Sequence, residues 1–264
     1  MFKGFNIKYP EYEIITPQTG WSINVRTMNV QEEERLKGSI LTPSSITDHL
    51  NKCLYDTITK KPAEMPDYDS FLRKITLKDR DALLYGLYHI TYEDIRNYEI
   101  NCGTCKKTYA VTIKASTTFN MNPYPNKDIL TKKVTKELSI SKGVFVTLRQ
   151  PTLFDEMTVM KTVQSAMFSV DLITETLIID KFQHDPDSGD SIIYTERDDI
   201  ISAYQQLPAL DKRDIYKLYR EEFGQYGINL KMRSTCIHCQ NQEEVDIDLV
   251  QNFFRMVYTI WCYR

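Results

Sequence analysis

The sequence predicts an α+β protein made of mostly helical units that carry two β-hairpins, each turning at a C-x-x-C motif. Apolar residues recur at helical spacing in several segments, whereas they alternate with polar residues after each cysteine pair. The chain has 264 residues, of which 42% are hydrophobic and 26% are charged. This composition is ordinary for a folded protein with a sizeable core.

The first 40 residues are predicted to form a strand followed by a charged arm. Trp21, Ile23 and Val25 alternate with polar neighbours, as in a strand that is buried on one face. The acidic run at 32–34 follows and is compatible with a short helix.

Residues 41–115 are predicted to be a helical unit that ends in the first cysteine pair. One helix is expected over 42–57, and a second over 76–90. Thr76 and Asp79 have the spacing of a capping box at the start of the second helix.

Residues 116–142 are polar and contain two prolines, so they are predicted to connect two units and to include a helix over 129–138. The second unit, 143–264, contains the second cysteine pair and an apolar C-terminal helix. Its other expected elements are a strand over 144–148 and helices over 152–167, 196–206 and 211–223.

The C-terminal helix, 249–261, is apolar on almost every face. Such a helix is either central to a core or docked on a partner. The residues that we expect to contact a partner are Phe253, Phe254, Val257 and Trp261.

The strongest chemical signal is the pair of C-x-x-C motifs at Cys102 and Cys105 and at Cys236 and Cys239. In a tight turn this spacing directs two thiolates at one metal ion. One pair cannot complete a tetrahedral site, and 130 residues separate the pairs. The economical solution is one structural zinc ion bound by all four cysteines, with His238 as a reserve ligand.

Several alternatives to a shared zinc site remain at this point. The two pairs could hold two separate sites, or a disulfide could form within each pair. Both turns could also be free of metal.

The order of a helix and then a cysteine pair occurs twice. The dipeptide Arg80-Asp81 precedes Cys102 by 22 residues, and Arg213-Asp214 precedes Cys236 by 23. This repetition indicates an internal duplication of a helix-plus-hairpin unit. The alternative is that two short matches arose by chance.

Charge and motif content disfavour two functional classes. The net charge is −3, with lysine and arginine spread along the chain, so no basic patch for a phosphate backbone is evident. The chain shows neither the spacing of a nucleophile and its base nor a glycine-rich phosphate loop, so we expect no enzymatic activity. Asp185, Asp187 and Glu196 match only part of a calcium loop, and a hairpin tip at 185–189 is the better interpretation.

No stretch approaches the roughly 20 apolar residues that are needed to span a bilayer, so we expect no membrane segment. The absence of an N-terminal apolar segment predicts a cytosolic protein. In that compartment paired thiols favour a metal ion over disulfides.

Several segments resemble the baseplate hub proteins of T-even-type contractile-tailed bacteriophages. The resemblance rests on the helical segment 78–84, on 98–100 leading into Cys102, and on 232–236 leading into the second cysteine pair. It continues in 246–249 and in Phe253-Phe254-Arg255.

The resemblance implies a structural or assembly component of the baseplate hub, with zinc-stabilised units and other tail and baseplate proteins as its partners. It also implies assembly in the host cytoplasm and a place in the virion tail. It does not decide whether the protein is a permanent part of the tail or an assembly chaperone. A zinc-ribbon protein that accompanies nucleic acid is the alternative and should show a basic face. A zinc hydrolase ranks third, because four thiolates leave no open coordination position.

Overall fold

The computed structural model describes residues 8–37, 43–91, 95–114, 120–163, 168–185, 190–229 and 231–246. Helices and antiparallel sheets both occur in these ranges, so the predicted α+β class is confirmed. None of the helices in this part of the chain is long and apolar enough to cross a bilayer. The C-terminal segment 249–261, with Phe253, Phe254, Val257 and Trp261, lies outside the described residues.

The first core forms between a three-stranded sheet and a group of helices. Ile14, Ile23 and Val25 of the sheet are buried against Leu83 and Leu87 of the central helix. The sheet has the order β1-β2-β3, and the strand expected around residues 21–25 is present. The elements are β1 (Glu11–Ile15), β2 (Ser22–Arg26), α1 (Val30–Lys37), α2 (Pro43–Thr57), β3 (Ile58–Lys60), α3 (Tyr68–Lys74) and α4 (Leu77–Thr91).

Helix α4 is the central helix of this core. The backbone N–H of Asp79 donates a 3.0 Å hydrogen bond to Thr76 Oγ1, so Thr76 caps the helix as its spacing predicted. Gly86 lies where β1 crosses the helix, and a Cβ atom there would be 2.1 Å from Ile14 Cδ1. Close packing of the sheet on α4 therefore requires glycine at this position.

The second core lies between a four-stranded antiparallel sheet of order β10-β9-β8-β7 and the helices that follow it. Val146 and Phe182 of the sheet are buried with Ile200, Tyr204 and Ile215 of the helices. The strand expected over 144–148 is present. The elements in this part of the chain are β7 (Lys133–Glu137), β8 (Val144–Arg149), α5 (Leu153–Val163), α6 (Val170–Thr176), β9 (Ile179–His184), β10 (Ile192–Tyr194), α7 (Arg197–Gln206) and α8 (Ala209–Tyr219), which continues as a π-helical turn (Arg220–Gly224). Helix α5 buries Leu153 and Met157 in the first core.

The prediction of a helix over 129–138 is wrong, because residues 133–137 form strand β7. Strand β8 is apolar and needs a hydrogen-bonding neighbour on each side, and β7 pairs with it along its length. Thr135 and Thr147 are joined across this pair by a 2.9 Å hydrogen bond between hydroxyls. The tertiary neighbour thus outweighs the local preference.

A buried hydrogen-bond network joins the two cores at the start of α4. The backbone N–H of Gln18 and the hydroxyl of Thr19 each donate to the Asp79 carboxylate at 2.8 Å. The Gln18 side-chain amide donates to the carbonyl oxygens of Phe223, at 3.0 Å, and Tyr226, at 3.1 Å. Gln18 therefore ties the turn after β1 to α4 and to the π-helical turn of the second core.

A second buried carboxylate, Asp211, holds the turn between β7 and β8 against α8. It accepts hydrogen bonds from the backbone N–H groups of Ile140 and Ser141, both at 2.9 Å. The Ser141 hydroxyl donates to the same carboxylate at 2.7 Å. Strand β11 (Gly227–Asn229) then pairs with β6 (Asn120–Asn122) and packs on α4.

We expect Gly86→Ala to lower the free energy of unfolding by about 1 to 3 kcal/mol, because the added methyl overlaps Ile14. Urea denaturation measures the change. Gly224→Ala is the matched control, since its Cβ would meet no atom closer than 3.4 Å. In the double variant with Gly86→Ala, Ile14→Val removes the Cδ1 atom and should recover part of the lost stability. Equal effects of Gly86→Ala and Gly224→Ala would contradict the close-packing explanation.

We expect Asp79→Asn to change how stability depends on pH. Burial raises the pKa of Asp79, although hydrogen bonds from Gln18 and Thr19 oppose the shift. The native state therefore binds a proton more tightly than the unfolded chain does, and the contribution of Asp79 falls as pH rises from about 4 through the native pKa. Urea denaturation at a series of pH values should show the wild type losing stability relative to Asp79→Asn over this window.

Asp211→Asn is the matched control for this experiment and should show the opposite sign. Burial opposes ionisation of Asp211, but hydrogen bonds from Ile140 and Ser141 outweigh it and lower its pKa. Its contribution is therefore present above the unfolded pKa of about 4 and is lost as pH falls below it. Parallel pH profiles for the two variants would contradict the assignment whose predicted sign they fail to show.

Candidate metal centre

The first cysteine pair lies in the turn of an antiparallel hairpin formed by β4 (Ile95–Asn101) and β5 (Thr108–Lys114). The backbone N–H of Cys102 donates to the carbonyl oxygen of Lys107 at 3.0 Å. The N–H of Lys106 donates back to the carbonyl oxygen of Cys102, also at 3.0 Å. These bonds close a tight loop in which Cys105 N–H lies 3.5 Å from Cys102 Sγ.

The second pair lies in a hairpin of the same construction, formed by β12 (Lys231–Thr235) and β13 (Gln242–Asp246). Cys236 N–H donates to Asn241 O, and Gln240 N–H donates to Cys236 O, both at 2.9 Å. The residue after the second cysteine adopts the left-handed conformation in both turns, with φ of 61° at Lys106 and 60° at Gln240. The two turns thus share their hydrogen bonds and their one unusual backbone angle.

The two turns bring all four sulfur atoms into one cluster, in which every pair of sulfurs lies within 4.8 Å. Cys102 Sγ is 3.6 Å from Cys239 Sγ, and Cys105 Sγ is 3.7 Å from Cys236 Sγ. Two thiolates bound to one tetrahedral zinc ion lie about 3.8 Å apart, given zinc–sulfur bonds of about 2.3 Å. The donor set therefore fits one shared tetrahedral ion.

Contacts between the hairpins surround this cluster. The Tyr109 hydroxyl donates to Ser234 Oγ at 2.9 Å, and Gly103 N–H donates to Glu243 Oε2 at 2.9 Å. Ile100 and Tyr109 are buried together with Cys102 and Cys236. These hydrogen bonds and the shared apolar packing hold the two hairpins against each other.

The reserve ligand predicted from the sequence, His238, lies beside the cluster. Its Nε2 atom is 3.2 Å from the carbonyl oxygen of Thr108 on the other hairpin. Among the residues that the structure describes, the cluster consists of the four cysteines. His238 therefore contributes to the contact between hairpins.

The surroundings favour the thiolate form at Cys236. Burial opposes ionisation, but hydrogen bonds from the backbone N–H groups of Cys239 and His238 outweigh it and lower the Cys236 pKa to about 7. At Cys239 the backbone hydrogen bond from Asn241 favours ionisation, but burial and the neighbouring thiols outweigh it and raise the pKa, so the thiols of the cluster ionise unequally. The thiolate is the form of cysteine that binds metal ions. An all-sulfur site also leaves no position for a substrate, which is typical of structural sites.

The sequence located the four cysteines but missed the residues that join the hairpins. Ser234 and Glu243 lie in β12 and β13 at positions that carry no motif. Their partners, Tyr109 and Gly103, lie more than a hundred positions earlier in the chain. No local signal could have identified these pairs.

The fold and the site together define an α+β protein in which a four-cysteine cluster joins two hairpins from distant parts of the chain. The chain matches the model of the family described as T4 bacteriophage base plate protein over residues 9–255, and it belongs to that family. It is thus a baseplate protein of a T4-type phage tail, whose partners are other tail proteins. No curated protein and no solved structure matches the chain.

Proposed function

We propose that this chain is a structural or assembly subunit of the baseplate hub region that is stabilised by one zinc ion. The family match over 9–255 is the observation that carries the proposal. The protein acts through contacts with other tail and baseplate proteins in a hetero-oligomeric assembly and has no enzymatic activity. It is made in the host cytoplasm and joins the tail there.

The proposed ligands of the zinc ion are Cys102, Cys105, Cys236 and Cys239. Their sulfurs form one cluster, and soft thiolate donors in a tetrahedral set are typical of zinc. The two hairpins are two-stranded, and ribbons of this size are marginally stable by themselves. A bound ion would join them into one unit and would contribute its binding free energy to folding.

The C-terminal segment remains part of the proposal. Phe253, Phe254, Val257 and Trp261 are expected to contact a neighbouring subunit because their spacing covers most of a helix with apolar surface. We also propose that the two helix-plus-hairpin units arose by internal duplication. The shared hydrogen bonds and the shared positive φ of the two turns support it.

Metal analysis of protein purified without a chelator should give one zinc ion per chain. Cys102→Ser should lower metal content and reduce stability by several kcal/mol, because loss of one ligand weakens an ion whose binding is coupled to folding. Cys53→Ser is the matched control, since the Cys53 thiol contacts Met28 Sδ at 3.6 Å and lies outside the cluster. A ratio near zero, or near two, would contradict the shared site.

Phage that lack this chain should fail to build normal tails, and complementation with the wild-type chain should restore them. Mass spectrometry should detect the complementing chain in purified tails or in baseplate intermediates. Presence in finished tails indicates a permanent part, whereas presence only in intermediates indicates an assembly chaperone. Normal contractile tails without the chain would refute the baseplate role.

Nucleic-acid binding tests the alternative function. Submicromolar binding to duplex or single-stranded nucleic acid at physiological salt would favour a nucleic-acid accessory protein instead.

A further inference from the structure

The outer edge of the second sheet carries two adjacent exposed apolar side chains. Strand β10 lies at this edge, and among the described strands it pairs with β9 alone. Ile192 and Ile193 are 47% and 53% exposed. An edge strand with exposed apolar side chains is a template for pairing with another chain.

Two further exposed apolar side chains come close in the chain to residues that line a cavity beside β10. Ile140 and Leu210 are both exposed. Ile140 directly precedes Ser141, and Leu210 comes three residues after Leu207; Ser141 and Leu207 line the cavity together with Tyr194 of β10. Scattered apolar residues are common on protein surfaces, but adjacent exposed apolar residues on an edge that no other described strand covers indicate an interaction site.

The cavity has a volume of about 300 Å³ and lies between the sheet and α7. Val144, Phe182 and Tyr194 line it from the sheet, and Ala203 and Leu207 line it from the helical side. Tyr194 is paired with Phe182 in the antiparallel register, so both project from the same face. The volume suits one large apolar side chain, and polar side chains complete the lining: Ser141, His184, Asp199, Ser202 and Gln206.

The charge on the β10 side of the cavity is acidic. Asp190, Glu196, Asp198 and Asp199 are exposed on the segment that contains β10 and the start of α7. The one basic residue in that segment, Arg197, points inward and donates to the carbonyl oxygen of Thr176 at 2.8 Å. Lys142, next to Ser141 on the opposite side of the cavity, is exposed as well. The acidic side, at β10 and the start of α7, therefore favours positive charge on the part of a ligand that lies there.

The geometry points to docking of an extended, basic and apolar segment of another tail or baseplate protein on this surface, which we call the β10 surface. The segment pairs with the free edge of β10 and inserts one large apolar side chain into the cavity. Its lysine or arginine residues face Asp198 and Asp199. This inference rests on the proposed baseplate role and supplies the chemistry of one partner.

Strand pairing sets the pattern that the partner must have. Side chains alternate between the two faces of a sheet, so a residue opposite Tyr194 points toward the cavity. The next residue along the partner then covers Ile193 on the opposite face. The partner therefore needs adjacent apolar residues flanked by basic ones.

Charge also separates this occupant from its competitors. A second copy of this chain would bring the same acidic residues, Glu196, Asp198 and Asp199, toward their own counterparts. Nucleic acid would meet the same repulsion from its phosphates. A basic segment of a different protein avoids both costs.

Site-specific photo-crosslinking tests the assignment in phage-infected cells. A benzophenone amino acid replaces Ile193 in one variant and Ile15, which is 65% exposed on β1, in the matched control. The crosslinker at position 193 should capture a segment of one other tail or baseplate protein with adjacent apolar residues and flanking lysine or arginine. Capture of a second copy, or no capture in assemblies that contain the chain, would overturn the proposal.

Lysine substitutions provide an independent test. Ile193→Lys places a charge on the apolar edge, and Asp199→Lys reverses the charge beside the cavity. Each should reduce incorporation into baseplates at least tenfold while the thermal transition stays cooperative. Val30→Lys, at a residue that is 69% exposed on α1, should have no effect. Ala203→Trp, which fills the cavity, should reduce incorporation in the same way if the variant remains folded.

The outcomes also distinguish the two proposals. Absence of the wild-type chain from both tails and intermediates would refute the baseplate role itself. Presence of the wild type, with Ile193→Lys and Asp199→Lys incorporated equally well, would refute only the β10 surface.

Discussion

The relative position of the two cores depends on a buried hydrogen-bond junction at the start of α4. Gln18 donates to Asp79 through its backbone and to Phe223 and Tyr226 through its side chain, so one residue links three segments. Buried polar groups of this kind are costly unless they are paired, and this requirement allows few alternative arrangements. The short turn after β1 therefore helps to fix how the two cores lie against each other.

The hairpins follow from this junction. Helix α4 leads into β4, while the π-helical turn joined to Gln18 leads into β11 and then β12. The junction thus brings together two segments that are far apart in the chain. Closing the long stretch of chain between them is entropically unfavourable, and the junction offsets this cost. The four cysteines meet where these segments meet, with Cys105 and Cys236 131 positions apart in sequence. A metal ion at that place would secure an arrangement that the cores have already prepared.

Two features of the structure suit a protein that functions inside a larger assembly. The four cysteines lie together between two small ribbons, and the β10 surface leaves apolar groups exposed beside acidic residues. A free-standing protein gains nothing from such an edge, since unpaired strands promote association. In the proposed baseplate assembly the same edge would form part of an interface.

The sequence by itself determined the features that depend on local physics. The capped helix at Thr76, the alternating strand at Ile23 and Val25, and the two C-x-x-C turns could all be identified, because spacing and capping act over a few residues. The meeting of the four cysteines could be proposed from their chemistry, since one pair cannot complete a tetrahedral site. The tertiary structure decided that 133–137 forms a strand, because β8 offers it a partner. It also decided that Tyr109 meets Ser234 and that Gln18 joins the cores, because these contacts link residues more than a hundred positions apart and leave no local pattern.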